Sequence, residues 1–298
     1  MLTVHNFSYG LLTPGLAYLM SVVGSFLGLR CTSRSRASSG ASRVRWLLLG
    51  GGSIGITGIW VMHFIAMLGF TIPTETIHYN VPVTLVSMLI AVVFVSIGLL
   101  IVGLSDNMRV GSLLIAGVVT GLGVAAMHYS GMAAMRMQGR MSYNPELFGL
   151  SIVIAIVAAT AALWFALRLG GFWPGFAAAL IMGVAVSGMH YTGMAAMRIY
   201  PPNGAPMAMG GADAGAFLLP LIVGVSVTTF VLTAAIALSP TAAEMAEEAE
   251  LMRKIEGLRA QPNSLSNGAS PSNGAVRNNG AGRARDDDNP NFRPTLRQ

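Results

Sequence analysis

Apolar runs of about 20 residues or more, broken by short polar stretches, recur along most of the chain and predict membrane-crossing helices. Seven such runs stand out: Phe7–Leu29, Trp46–Phe70, Pro82–Leu104, Ser112–Met135, Phe148–Leu167, Gly175–Met197 and Phe217–Leu238. They are rich in glycine, which suits close helix contact in lipid. After Leu238 the pattern changes. Thr241-Ala-Ala-Glu244 spells a capping box, and EMAEEAELMRKIEGLRA behind it predicts a helix over 240–260. Met245, Met252, Ile255 and Leu258 give that helix a partial apolar stripe, fitting either a short coiled coil or a solvated extension of the seventh span. From Gln261 onward Asn, Gly, Ser and Pro dominate, which predicts disorder.

A repeat lies inside the apolar pattern. AAMHYSGMAAMRM at 125–137 returns as SGMHYTGMAAMRI at 187–199, and IWVMHFIAML at 59–68 is a looser copy. His63, His128 and His190 are 65 and 62 residues apart, a period that holds two spans. The expected architecture is therefore an all-α polytopic bundle of seven spans, six of them forming three related hairpins. Its parts are a six-helix domain over 1–200, a loop and seventh helix over 201–239, a juxtamembrane helix over 240–260, and a disordered tail over 261–298. Each histidine sits on the second helix of its hairpin, seven or eight residues before the outer end. At 1.5 Å per residue that is roughly 10–12 Å below the boundary, which predicts three imidazoles at one level, reachable from outside.

Composition agrees with a membrane protein: 53% of residues are hydrophobic and only 10% are charged. Arg30, Arg34, Arg36, Arg43 and Arg45 crowd the first loop and mark it as cytoplasmic. The N-terminus is then expected outside and the C-terminus inside a bacterial plasma membrane. Arg109 and Arg168 fit this orientation, whereas Arg136, Arg140 and Arg198 fall outside. The net charge of +6 belongs to loops facing the lipid bilayer and not to nucleic-acid binding. Cys31 is the single cysteine, so neither a disulfide within one chain nor a cysteine-based metal site is available.

The chemistry lies in the repeats. A methionine follows each histidine at i+4, giving His63/Met67, His128/Met132 and His190/Met194 on shared helix faces. Met135 and Met197 at i+7 extend that face in two copies, while the first has Phe70. Met62, Met127 and Met189 precede the histidines and are about 100° away around the helix. Imidazole with thioether and no carboxylate is a soft donor set suited to copper, with noncovalent haem as the alternative. A lone histidine in lipid often only bonds a neighbouring helix, but three copies at matching depth favour a site. Gly131 and Gly193 read as helix-packing positions, and Tyr129 and Tyr191 as supporting or packing residues.

Met189-His190-Tyr191-Thr192, with Met127-His128-Tyr129-Ser130 and Met62-His63-Phe64-Ile65 as variants, resembles the MHYT domain of bacterial membrane sensors, over about residues 8–200. The resemblance implies sensing of a diatomic gas (O2, CO or NO) through copper. It implies as ligands the Met-His pairs 62/63, 127/128 and 189/190, with Tyr129 and Tyr191 contributing; Phe64 departs from that pattern. The i+4 geometry adds Met67, Met132 and Met194. No cyclic-di-GMP enzyme motif or paired acid and base is visible, so no enzyme activity is expected, and signalling would need a separate partner. Copper binding or delivery is the competing function.

Overall fold

The computed structural model describes residues 2–105, 110–202, 210–238 and 242–260. Arg109, Met207, Met209, Thr241 and the tail from Gln261 lie outside them. Six helices are long and apolar enough to cross a membrane: α1 (Leu12–Arg36), α2 (Gly40–Leu68), α3 (Val81–Gly103), α4 (Val110–Ala133), α5 (Pro145–Arg168) and α6 (Phe172–Ala196). They make this a multi-pass membrane protein. The seventh expected span corresponds to α7 (Leu219–Leu238), whose stretch Leu219–Val231 is a shorter apolar helix. A second unit begins at Ala242 with α8 (Ala242–Ala260), where Lys254 pairs with Glu250 at 2.9 Å and Met252 and Ile255 are exposed.

The six spanning helices close into a ring in which each packs against its sequence neighbours and α6 returns to α1. Hairpins α1/α2, α3/α4 and α5/α6 are thus three units around one axis, with the histidine helices α2, α4 and α6 alternating. α7 lies against α2 and α1. Small residues make the ring tight. A Cβ on Gly24 of α1 would come within 2.2 Å of the Gly58 backbone nitrogen on α2, so these two helices touch backbone to backbone.

One stretch departs from the α-helix that the apolar period predicts. Ser53–Val61 of α2 is π-helical, ending two residues before His63. π segments are rare and are commonly found at functional positions. Here the wider turn carries Gly55 and Gly58 against α3 and α1, and Ser53 donates its hydroxyl to the Gly24 carbonyl at 3.0 Å. Trp60 within it is fully buried, its indole N–H donating to Ser87 Oγ at 3.1 Å and Thr84 O at 3.2 Å.

Short strands cover the motif end of the ring, where sequence patterning shows only loops. β1 (His78–Tyr79) lies between β2 (Met135–Arg136) and β5 (Ala212–Asp213), and β3 (Arg140–Tyr143) pairs with β4 (Met197–Tyr200). The helices α4 and α6 consequently stop at Ala133 and Ala196. Met135 and Met197 belong to strands, so the expected extension of the histidine face to i+7 does not occur.

Each hairpin is clasped in the same way. The backbone N–H groups of Ser8, Asn80 and Asn144 donate to the carbonyls of Gly69, Ala134 and Ala196, at 3.0, 2.8 and 2.8 Å. Those carbonyls lie six residues beyond His63, His128 and His190. Asn80 and Asn144 also cap α3 and α5, ahead of a proline in the first turn, where a missing N–H does no harm. Asn144→Ala should lower stability by about 1 kcal/mol and Asn144→Ser should largely restore it. Thermal unfolding in detergent, read by circular dichroism, measures both.

Candidate metal centre

The ring geometry sends His63 from α2, His128 from α4 and His190 from α6 to its axis. They lie five, five and six residues before the ends of their helices. Their Nδ1 atoms form a near-equilateral triangle of 3.1, 3.1 and 3.3 Å. The rings stand edge to face, at 82°, 84° and 87° to one another. All three are buried, at 0%, 0% and 1% exposure, so the expected access from outside is closed by the strands and side chains above them.

A neutral imidazole carries one N–H donor and one lone pair. When each Nδ1 is the acceptor, three lone pairs converge on one point. When one carries a proton, it satisfies at most one neighbour well. A single cation at the centre would engage all three. The point equidistant from the Nδ1 atoms lies about 1.8 Å from each, close to the ~2.0 Å metal–nitrogen bond, and among the described residues the three histidines form a group that could hold a metal ion. The donor set therefore fits one ion. A haem would need two axial nitrogens on opposite faces of a macrocycle, about twice ~2.0 Å apart, and the triangle leaves no slot for it.

The residues around the triad serve its rings. Phe64, Tyr129 and Tyr191, each following its histidine, set an aromatic ring edge to face on it at 4.8, 4.9 and 4.9 Å. Phe64 performs this as well as the tyrosines do, so the ring is the common element. The Tyr129 hydroxyl is engaged with Ser151 Oγ at 2.6 Å, away from the metal position. The glycines three residues after the histidines have a more specific role than helix approach. A Cβ on Gly131 would lie 2.6 Å from His63 Nε2, and one on Gly193 would lie 2.3 Å from His128 Nε2. His63 and His128 thus each back onto the glycine of the next repeat. His63 Nε2 and His128 Nε2 have no hydrogen-bond partner among the described residues, a cost of about 1–3 kcal/mol per group if left uncompensated.

The methionines separate into layers. Met67, Met132 and Met194 are buried one turn beyond the histidines, between the triad and the strands. Met62 packs with Ala17 of α1 and Ala66, in a cluster apart from the main core. Met127 lies in the main core, and Met189 lines a cavity on the far side of the triad. Among the preceding methionines, Met62 thus packs apart from Met127 and Met189, whereas the three i+4 methionines all lie in the main core. Met135 and Met197 are buried strand residues opposite Tyr79 and Tyr143.

The cap is held by its own polar groups. Glu75 accepts the backbone N–H of Gln138 and Gly139 at 2.9 and 3.0 Å, and His78 is registered against Arg136 in the sheet. Burial, with the Tyr129 hydroxyl nearby, pushes the Tyr143 phenol up to about 12, and Tyr143 donates to Met141 Sδ at 2.8 Å. Burial also raises the Tyr79 phenol. Both stay protonated at neutral pH.

The arrangement has relatives. The chain is 38% identical over 200 residues to the bifunctional diguanylate cyclase/cyclic di-GMP phosphodiesterase MucR of Pseudomonas aeruginosa, covering 64% of this chain and 28% of that protein. It is 36% identical over 214 residues to the cyclic di-GMP phosphodiesterase NbdA of the same organism, covering 69% and 27%. The signaling protein YkoW of Bacillus subtilis is 32% identical over 204 residues, 64% of this chain and 24% of its own length. The chain thus matches about a quarter of the length of each. No solved structure matches it. The family model described as the bacterial signalling protein N terminal repeat matches three times, at residues 57–116, 121–179 and 183–247, so that each match contains one histidine of the triad, and the chain belongs to the MHYT family.

Proposed function

We propose that this membrane signalling protein is a sensor whose buried triad, His63, His128 and His190, holds one copper ion. The convergence of three Nδ1 atoms at 3.1–3.3 Å carries the reading. Three neutral imidazoles suit copper, and the thioethers of Met67, Met132 and Met194, one turn away, keep the surroundings soft. Copper, when bound, supplies an open coordination position for a diatomic gas such as O2, CO or NO. The protein's part is to hold the three nitrogens, orient their rings with Phe64, Tyr129 and Tyr191, and exclude water. Because each histidine comes from a different hairpin, a change in their spacing changes how the hairpins pack. The motif end faces outward in this reading, with the arginines of the α1–α2 loop inward, and the response passes to a separate signalling partner.

Detergent-purified protein should carry about one copper per chain, measured by mass spectrometry of the metal. His128→Ala together with His190→Ala should remove it. Retained copper in the double variant would place the ligands elsewhere, and a Soret band in the optical spectrum would replace copper by haem.

Glycine substitutions test the geometry without touching a ligand. Gly131→Ala and Gly193→Ala should each lower copper content several-fold, because the new methyl group displaces an imidazole. Gly149→Ala, where a Cβ meets open space, should leave it unchanged. Far-ultraviolet circular dichroism should show all three variants equally helical.

A further inference from the structure

On the side of the triad away from the strands, the ring axis holds a cavity of about 50 Å³. Its position follows from the repeat. Ile59, Val124 and Val186 all line it, and each lies four residues before its histidine. The cavity therefore begins one helical turn beneath the imidazoles, on the same axis. Met189 lies between the two levels.

The lining is apolar. Ser25 and Thr120 are its polar members, and the Thr120 hydroxyl is turned to the Phe94 carbonyl at 3.5 Å. A buried water needs two to four hydrogen-bond partners, and apolar cavities stay dry while accepting small apolar guests such as xenon. The space exists because α5 presents alanines to the axis, Ala155, Ala159 and Ala162 among them, where α3 presents Val95 and Leu99. Ala158 and Ala162 on α5, and Ala185 and Val186 on α6, keep part of their surface uncovered. The seam between these two helices is thus the thin wall of the cavity, within the apolar part of the spans.

We infer that this cavity is a binding site for a small, uncharged, apolar gas molecule, loaded through the α5–α6 seam and feeding the triad from below. The strands and the methionine layer close the opposite side, and ions and water have no polar path through the alanine-lined wall. As a store for the sensed gas it rests on the copper and gas reading above; as a gas-binding cavity it does not.

Two measurements on the full-length protein separate these levels. Xenon-129 resonance of the metal-free protein in detergent should show saturable binding, abolished by Ala159→Phe and weakened by Ala162→Leu. It should be unaffected by Val157→Phe on the exposed face of α5. Absence of saturable binding, or binding indifferent to both cavity substitutions, overturns the site. In the copper(I)-loaded protein, carbon monoxide rebinding after flash photolysis should slow about fivefold or more in Ala162→Leu at unchanged copper content. Unchanged rebinding with xenon displaced would overturn the cavity as the route to the triad. Failure to load copper at all would count against the proposed function and leave the xenon result standing.

Discussion

Bringing three imidazole nitrogens within 3.1–3.3 Å of one another in an apolar interior sets the requirements for everything around them. Polar groups withdrawn from water and left without partners are costly. Here two of the six ring nitrogens, His63 Nε2 and His128 Nε2, face glycine backbones instead of acceptors. Histidines bound to metal ordinarily donate their second nitrogen to a carboxylate, carbonyl or water. This triad is held by sterics instead: an aromatic ring on one side of each imidazole, and a glycine of the next repeat behind His63 and His128. The arrangement confers rigidity without introducing a carboxylate, whose charge would be expensive at that depth.

The closed ring of six helices follows from the same requirement. Three nitrogens can meet on one axis only if their helices alternate with spacers and end at one level. The clasps from Ser8, Asn80 and Asn144 fix that level, since each holds the carbonyl six residues beyond a histidine. The strands then seat Met135 and Met197 over the methionine layer. Asn80 and Asn144 act twice, capping the next helix with the side chain and closing the hairpin with the backbone. A repeat of this kind needs few residues to be conserved in type for the whole ring to keep its register.

Much of this was legible in the residues and some of it was not, for physical reasons. The 65- and 62-residue spacings of His63, His128 and His190 predicted one level, because a helical hairpin has a definite length. The i+4 methionines followed from the helical period. The period could not show that α4 and α6 stop before Met135 and Met197, since strands of two to four residues are shorter than any window in which alternation can be recognised. Nor could it show the π segment at Ser53–Val61, because hydrogen-bond register leaves no mark in hydropathy. The role of Gly131 and Gly193 depends on which helix lies opposite, and that is a property of the closed ring. The seating of Tyr129 against Ser151 was hidden for the same reason.

The three copies agree where the triad constrains them and diverge elsewhere. At the position after histidine all are aromatic: Phe64, Tyr129 and Tyr191. Three residues on they are small: Ala66, Gly131 and Gly193. One turn on they are methionine, and one turn back they are β-branched: Ile59, Val124 and Val186. Beyond these positions the symmetry lapses in two places. The first repeat carries the π segment, against which α7 rests. The third carries the alanines of α5 that open the cavity. A threefold site needs only its immediate neighbours to be alike. The remaining positions are therefore free to differ, and it is there that the ring acquires a side that contacts the rest of the chain and a side that is open beneath the triad.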